Sequence, residues 1–306
     1  MSDDYGNTGC YNLECPGFVQ KSRTIVPGTA IKDVSSYNNK LYDLPFFIYK
    51  VSHAIVGVTG GIYRGVEAAM DVWGPLVVNP TEFSSSYISV RIGGESQNGD
   101  VYSIETGWQV HPNMYHDQVP RLYVYWSYRS DVFQNTGCYN LDCPGFVQIS
   151  KTIVPGGAIT HVSPYHNMLQ DLSFSIYKDS FDGNWWVEVK KVKVGYWPWK
   201  MFSSHRYETA IMIQLGGEIV NTGKYGNHTK TEMGSGQFSN KGYGQAACFK
   251  NITIYGSSDR QDPVDLNLIT YNENPKCYTT KLEKYDTKLG NHFFYGGPGG
   301  ADKGCK

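Results

Sequence analysis

Residues 121–128 read R-L-Y-V-Y-W-S-Y, which places Leu, Val and Trp on one face of an extended chain and Arg, Tyr and Ser on the other. A period of two is typical of a β-strand with one buried face. The same alternation occurs in residues 86–92, 172–177 and 208–215, and glycine-rich turn sequences separate these segments. Because no helical pattern lies between them, the sequence predicts an all-β fold, an antiparallel β-sandwich of two sheets.

The composition is that of a β-rich globular protein with nearly balanced charge. The 306 residues include 27 Lys+Arg and 28 Asp+Glu. Binding to nucleic acid or to an anionic membrane surface requires an excess of positive charge, so we expect neither partner. The 34 glycines, 24 tyrosines and 14 prolines favour short strands joined by turns. No apolar run approaches the roughly 18–20 residues that cross a bilayer, and the first residues lack a signal-peptide pattern.

The cysteine spacing favours disulfides over a metal site. The seven cysteines are Cys10, Cys15, Cys138, Cys143, Cys248, Cys277 and Cys305. Two identical C-x4-C loops start at positions 10 and 138, and each is followed by Pro-Gly, a turn sequence that can bring the two cysteines within disulfide range. A zinc site is the alternative, but the usual C-x2-C or H-x3-H companions are missing. Cys248 lies in a strand-like segment and is expected to be buried.

Two further features concern modification. Cys277 and Cys305 bracket the C-terminal tail, where a bridge would contribute roughly 3–4 kcal/mol of stability by loop-closure arithmetic. Asn227 and Asn251 begin N-x-T glycosylation sequons. Both features fit an oxidising, secretory environment, although this sequence shows no signal peptide.

A partial duplicate occupies the start of the chain. Residues 7–50 align with residues 135–178 at a constant offset of 128, and 32 of the 44 positions are identical. The repeat occurs only twice and stops after Lys50, unlike the repeats of a solenoid. A fragment of this size holds too few strands for a sandwich core of its own. We therefore predict two regions: residues 1–59, a partial duplicate of the 129–180 segment that is disordered or docked as a hairpin, and residues 60–306, the complete β-sandwich.

Two glutamates stand out because each lies in an apolar strand beside glycine. Glu105 lies in S-I-E-T-G-W-Q-V and Glu218 in Q-L-G-G-E-I-V. The period of two places Gln109 on the face of Glu105, and Gln214 on the face of Glu218. A glutamate on a half-buried face is unfavourable unless it is paired, and a neighbouring glycine leaves room for a ligand. The alternative is that each glutamate points to solvent.

A series of motifs, in this order, resembles the neprosin family of plant glutamic peptidases with proline-directed cleavage. The motifs are S-I-E-T-G-W-Q-V, G-C-Y-N-L-D-C-P-G-F-V-Q, G-N-W-W, V-G-Y-W-P, L-G-G-E, M-G-S-G-Q-F and F-Y-G-G-P-G-G. The resemblance covers about residues 66–300. It implies a β-sandwich with a cleft on its concave face and a catalytic pair formed by Glu105 and Glu218.

The resemblance also implies disulfides Cys138–Cys143 and Cys277–Cys305, and a secreted or vacuolar location. One departure lies before the G-G-E glycines, where the family usually has Trp and this sequence has Leu215. At the sequence level this change removes an aromatic ring near Glu218.

The function that these residues predict is peptide hydrolysis at acid pH by two glutamates that share a proton, with proline-containing peptides as substrates. Substrate-binding candidates are the two glutamines and the aromatic residues Trp108, Tyr196 and Trp197; core packing is the alternative role for each aromatic ring. We expect a monomer, and nothing in the sequence indicates a metal or an organic cofactor. Two other classes remain open: a non-catalytic binding sandwich and a glycoside hydrolase that uses the same carboxylates.

Overall fold

The computed structural model describes residues 50–93, 101–129, 136–164, 169–202, 209–223, 228–256, 260–261, 268–300 and 304–305. These residues form sixteen strands: β1 Lys50–Tyr63, β2 Gly65–Asp71, β3 Ser84–Gly93, β4 Val101–Val110, β5 Arg121–Arg129, β6 Thr136–Tyr139, β7 Val147–Gln148, β8 Asp171–Lys178, β9 Trp185–Val189, β10 Val192–Trp197, β11 Ala210–Asn221, β12 Ala247–Tyr255, β13 Arg260–Gln261, β14 Ile269–Asn272, β15 Thr279–Leu282 and β16 Phe293–Gly296. They also form one short helix, α1 Pro112–Tyr115, and two 3₁₀ turns, Trp199–Met201 and Ser239–Lys241.

The strands form two antiparallel sheets. The first sheet has the order β14-β1-β11-β3-β4-β5-β6. The second has the order β15-β16-β12-β2-β8-β9-β10-β7, and β13 pairs with the side of β12. Every strand pair is antiparallel. The predicted two-sheet antiparallel sandwich is therefore confirmed.

The core lies between the two sheets and follows from the period-two alternation. On β3, for example, Ile88, Val90 and Ile92 have no exposed surface, whereas the residues between them point to the opposite face. Burial of one such side chain stabilises the fold by about 1.5–3 kcal/mol. The largest fully buried side chains include three indole rings, those of Trp108, Trp185 and Trp197.

Strand β1 crosses the boundary that was predicted after residue 59. It pairs with β11 from Lys50↔Asn221 to Tyr63↔Ala210, and on its other side with β14. Residues 50–59 therefore belong to the sandwich, in an inner position of the first sheet. Residues 1–49, which hold nearly all of the partial duplicate together with Cys10 and Cys15, lie outside the described residues.

The second copy of the repeat is divided between the two sheets. Strand β6 is at the edge of the first sheet beside β5, whereas β8 lies inside the second sheet between β2 and β9. Strand β7 pairs with β10. Each strand of the repeat therefore pairs with strands outside it, so this segment depends on the rest of the sandwich.

Two disulfides are present in the described part of the chain. Cys138–Cys143 closes the loop after β6, with Cα atoms 6.2 Å apart, and Cys277–Cys305 ties the C-terminal tail to the region before β15, with Cα atoms 4.8 Å apart. Both distances are in the normal range, and both pairings were predicted. Cys248 is free and buried, as expected. Among the described helices, none has the length and apolar character needed to cross a membrane.

Candidate active site

One face of the first sheet, the one that points away from the core, carries both predicted glutamates. We call it the site face. Its side chains come from six adjacent strands, because register brings alternate residues of each strand to the same side. The site face consists of His53, Ile55, Gln214, Glu218, Ser85, Tyr87, Ser89, Glu105, Gln109, Tyr123, Tyr125 and Tyr139.

Glu105 and Glu218 lie on either side of the strand β3. Glu105 is directly opposite Ser89, and Glu218 is directly opposite Ser85. The two serines are four residues apart, and Tyr87 lies between them on the same face. The glutamates are therefore placed diagonally across one strand, with Tyr87 in the middle. Both side chains are half-buried.

The two carboxyl groups influence each other electrostatically. Burial and the charge of Glu218 raise the pKa of Glu105 to about 8, although a hydrogen bond from Tyr123 acts in the opposite direction. Burial also raises the pKa of Glu218, while the nearby ring of His53 lowers it and Glu273 raises it. His53 lies beside Glu218 and not beside Glu105, so a protonated ring favours ionisation of Glu218 over ionisation of Glu105. This asymmetry is what acid–base catalysis requires.

Tyrosines surround the pair. Ile55, Tyr87 and Tyr123 form a small buried cluster, and Tyr125 and Tyr139 pack against it. The rings of Tyr125 and Tyr139 are 4.5 Å apart. Burial, followed by the charges of both glutamates, raises the pKa of Tyr125 to about 12, so one phenol is close enough to respond to both carboxyl groups. The site face thus joins a carboxylate pair to an aromatic wall.

The two predicted glutamines do lie on this face. Gln109 is directly across β3 from Glu218, and Gln214 is directly across β3 from Glu105. Gln109 is fully buried, and its Nε2 donates to the hydroxyl of Tyr115 over 3.0 Å. Its Oε1 is buried without a hydrogen-bond partner in the described structure.

The three aromatic candidates do not lie on the site face. Trp108 is fully buried in the core, where its Nε1 donates to the backbone oxygen of Asp71 over 3.0 Å. Since Trp108 is three residues after Glu105, the alternation of the strand turns it to the opposite face. Tyr196 and Trp197 are on β10 of the second sheet; Trp197 is fully buried, and Tyr196 packs on Trp186. The three rings therefore lie away from Glu105 and Glu218, on the other faces of the two sheets.

Leu215 also requires a correction. It lies three residues before Glu218 and points into the core, with no exposed surface. The substitution of Leu for the usual Trp therefore changes core packing between the sheets. It removes no ring from the site face.

Several residues of the site were not among the sequence-based candidates, including His53, Tyr123 and Tyr125 on the site face and Glu273 beside it. His53 fell within residues 1–59, which were predicted to be a partial duplicate, and Glu273 carried no motif. Tyr123 and Tyr125 were recognised as strand residues only, although their alternation within R-L-Y-V-Y places both on one face. His53 and Glu273 reach the site through strand pairing between distant segments, which local pattern does not reveal.

Two remaining predictions concern modification and metal. Asn251 is exposed on β12, in a position that a glycan could occupy, while Asn227 lies outside the described residues. His228, Cys277 and Cys305 place ligand-type atoms within 4.8 Å of one another. Since the two sulfurs form a disulfide, they are not the thiolates that metal binding requires.

Two pockets of the described surface lie away from the site face. One, of about 340 Å³, includes Ile153 and His161 in its lining, and another, of about 370 Å³, includes Trp126 and Met201. Neither contains a glutamate of the pair.

Several solved structures are similar to this chain at low sequence identity. Scytalido-glutamic peptidase with a transition state analog inhibitor matches with a TM-score of 0.39 and 8% identity over 81% of this chain and 98% of that chain. SCP-B, a member of the Eqolisin family of peptidases, matches with a TM-score of 0.37 and 10% identity over 82% and 98%. A GH16 protein from Bacteroides ovatus, solved in complex with a G4G4G3G product, matches with a TM-score of 0.32 and 11% identity over 60% and 72%.

The sequence itself gives the stronger comparison. The profile of the Neprosin family matches residues 1–54 and 80–298, which is most of the chain. Both glutamates, the Cys138–Cys143 disulfide and the tyrosines of the site face lie within these ranges. The chain belongs to the neprosin family.

Proposed function

We propose that this protein is a glutamic endopeptidase that cleaves proline-containing peptides from acid pH up to about pH 8, where Glu105 loses its proton. The observation that carries the proposal is the pair Glu105 and Glu218, on one half-buried face and with the pKa of Glu105 raised by burial and by the charge of Glu218. Membership of the neprosin family supports the same function.

The mechanism follows from the different surroundings of the two carboxyl groups. Ionised Glu218 takes a proton from a water molecule as the water oxygen attacks the peptide carbonyl carbon. Glu105 gives its proton to the carbonyl oxygen, so the tetrahedral intermediate is neutral. When the intermediate collapses, its C–N bond breaks and the proton held by Glu218 passes to the leaving nitrogen. A proton from the intermediate's hydroxyl returns to Glu105 as the new carboxyl group forms.

The tyrosines supply a reason for a preference for proline. A prolyl ring is compact, apolar and conformationally restricted, and its CH₂ groups can pack against an aromatic face. Tyr125 and Tyr139 present such faces beside Glu105. We propose a peptide as the partner, a monomeric state and a secreted or vacuolar location. We propose no resident cofactor.

The test measures cleavage of three substrates by the whole chain. They are casein, a fluorogenic proline peptide, and a comparison peptide in which alanine replaces the proline. Glu105→Gln and Glu218→Gln should each reduce cleavage by at least about 100-fold. Glu188→Gln is the matched control, because Glu188 accepts a hydrogen bond from Tyr177 in the second sheet and is remote from the pair. Cleavage that survives both site substitutions would refute the proposal.

The same variants separate the alternatives. A tyrosine wall beside two carboxylates would also suit a glycoside hydrolase, which would release sugar and leave peptides intact. A binding module would keep its ligand in both glutamine variants. Equal cleavage of the proline and alanine peptides would refute the proline preference alone.

A further inference from the structure

His53 lies between two carboxyl groups at the edge of the site face. It is directly opposite Glu218 in the pairing of β1 with β11. Its Nε2 is 3.8 Å from Oε2 of Glu218, and its Nδ1 is 3.0 Å from Oε2 of Glu273. A single imidazole ring therefore joins the proposed base to a third glutamate.

The two contacts differ in kind. The 3.0 Å contact with Glu273 is within hydrogen-bonding distance and fixes the orientation of the ring. The 3.8 Å contact with Glu218 is an ion pair and leaves that carboxylate free to accept a proton from water. His53 is 30% exposed and Glu218 is 20% exposed, so solvent screens their attraction only in part. When the ring of His53 is protonated, it places a positive charge beside Glu218, the proposed general base.

No other ionisable group competes for the ring among the described contacts. On the strands packed against β1, two charged side chains occur, Glu218 and Lys281, and Lys281 pairs with Glu283. The two charged groups in contact with His53 are therefore both carboxylates, those of Glu218 and Glu273. The ionisable side chains of those neighbouring strands are Glu218, Tyr271, Lys281 and Tyr295.

We propose that His53 is a positioning residue that keeps Glu218 ionised as the general base and thereby fixes which glutamate of the pair takes the proton from water. The inference rests on the proposed peptidase function. Glu273 acts one step further away, because it holds the ring in place. Neither residue needs to touch the substrate.

Removal of the positive charge of His53 should raise the pKa of Glu218. A positive charge beside a carboxylate favours its ionised form, so removal of the charge makes Glu218 harder to ionise. Activity at low pH depends on ionised Glu218, and the acidic limb of the pH–rate profile should therefore move to higher pH. The alkaline limb depends on the proton of Glu105, which His53 does not contact, and should move less.

The experiment compares kcat/KM across pH for the full-length protein, His53→Gln, His53→Lys and Glu273→Gln. The acidic limb of His53→Gln should move up by about one pH unit. His53→Lys keeps a positive charge, so its acidic limb should lie closer to that of the unaltered protein. Glu273→Gln removes a negative charge that raises the pKa of Glu218, so its acidic limb should not move up as that of His53→Gln does. His161→Gln is the control, because His161 is exposed and bonds only to its neighbour Thr160 among the described contacts.

A second measurement does not depend on turnover. Carboxyl carbons of ¹³C-labelled glutamate can be titrated by NMR, with the Glu218 signal assigned by its loss in Glu218→Gln. That signal should titrate at higher pH in His53→Gln than in the unaltered chain or in His161→Gln. Thermal unfolding of each variant identifies any variant that fails to fold. If His53→Gln does not fold, the Glu218 titration in His53→Lys can still be compared with that of the unaltered chain.

The possible failures are distinguishable. An active His53→Gln with an unchanged acidic limb and an unchanged Glu218 titration would overturn the role of His53 and leave the peptidase proposal intact. Absence of cleavage by the unaltered chain at every pH would overturn the peptidase proposal, and with it the part assigned to His53.

Discussion

The hydroxyl of Tyr123 donates a hydrogen bond of 2.9 Å to Oε1 of Glu105. Tyr123 itself is almost fully buried, so the bond is formed in a region of low polarity. A donor stabilises a carboxylate more than a carboxylic acid, and this bond lowers the pKa of Glu105 against the effect of burial. Tyr123 therefore limits how strongly Glu105 holds its proton.

Tyr123→Phe should raise the pKa of Glu105 and move the alkaline limb of the pH–rate profile upward by about one unit. Tyr177→Phe is a matched control, because it removes a hydrogen bond of 2.8 Å to Glu188 in the second sheet. Rates measured from pH 3 to about 10 check the shift. A limb that moves down, or that moves equally in both variants, contradicts this account.

The unaltered protein should lose activity as the pH rises through about 8, the raised pKa of Glu105. Above that value Glu105 is ionised and has no proton to give to the carbonyl oxygen. Below it, the rate should be maintained until Glu218 becomes protonated, which occurs at lower pH because His53 lies beside it. Initial rates on the proline peptide across this range test the order, and a rate that increases above pH 8 would exclude Glu105 as the acid.

Much of the fold could be predicted because it depends on a local pattern. The alternation in residues 86–92 and 121–128 is set by which side chains face the core, and the strands formed there. The same rule placed Gln109 beside Glu105. Applied to Trp108, it would have excluded that ring from the site, since Trp108 is three positions, an odd number, after Glu105.

The parts of the site that the sequence did not predict depend on pairing between distant segments of the chain. His53 and Glu218 are 165 residues apart, and only the pairing of β1 with β11 brings them together. The joining strand was also hidden, because residues 50–59 follow directly on the duplicated segment. Local periodicity carries no information about which strands are neighbours. The sequence therefore could not predict that His53 and Glu273 lie next to the glutamate pair.

Glu82 is a buried carboxylate away from the site, with no exposed surface. Thr231 donates to its Oε2, and the backbone and hydroxyl groups of Thr222 each donate to its Oε1 over 2.8 Å. Thr229 donates to its Oε2 over 3.1 Å. Burial would raise the pKa of Glu82, but these hydrogen bonds outweigh it and hold the pKa below its ordinary value.

Glu82→Gln should lower the free energy of unfolding by about 2–3 kcal/mol at neutral pH, since it replaces an ionised acceptor that several donors surround. A carboxyl group whose pKa is depressed by folding stabilises the protein above its unfolded pKa, near 4.3, and this contribution disappears as the pH falls further. The difference between the two proteins should therefore narrow below about pH 4. Denaturant unfolding at several pH values measures it.

Glu283→Gln is the control for that experiment, because Glu283 forms a partly exposed ion pair with Lys281. Its loss should change stability by less than about 1 kcal/mol. A Glu82→Gln variant that is no less stable than this control at neutral pH would show that the threonine contacts contribute little.

The two disulfides should differ in their contribution to stability because they close loops of different length. Cys277–Cys305 spans a sequence separation of 28 and Cys138–Cys143 a separation of 5. Loop closure restricts the unfolded chain more when the loop is longer, which predicts a loss of about 3–4 kcal/mol for Cys277→Ala/Cys305→Ala and about 2 kcal/mol for Cys138→Ala/Cys143→Ala. Equilibrium unfolding in urea without reductant measures both. If the short-loop variant loses more stability than the long-loop variant, native packing around β6 rather than chain entropy determines what these bridges contribute.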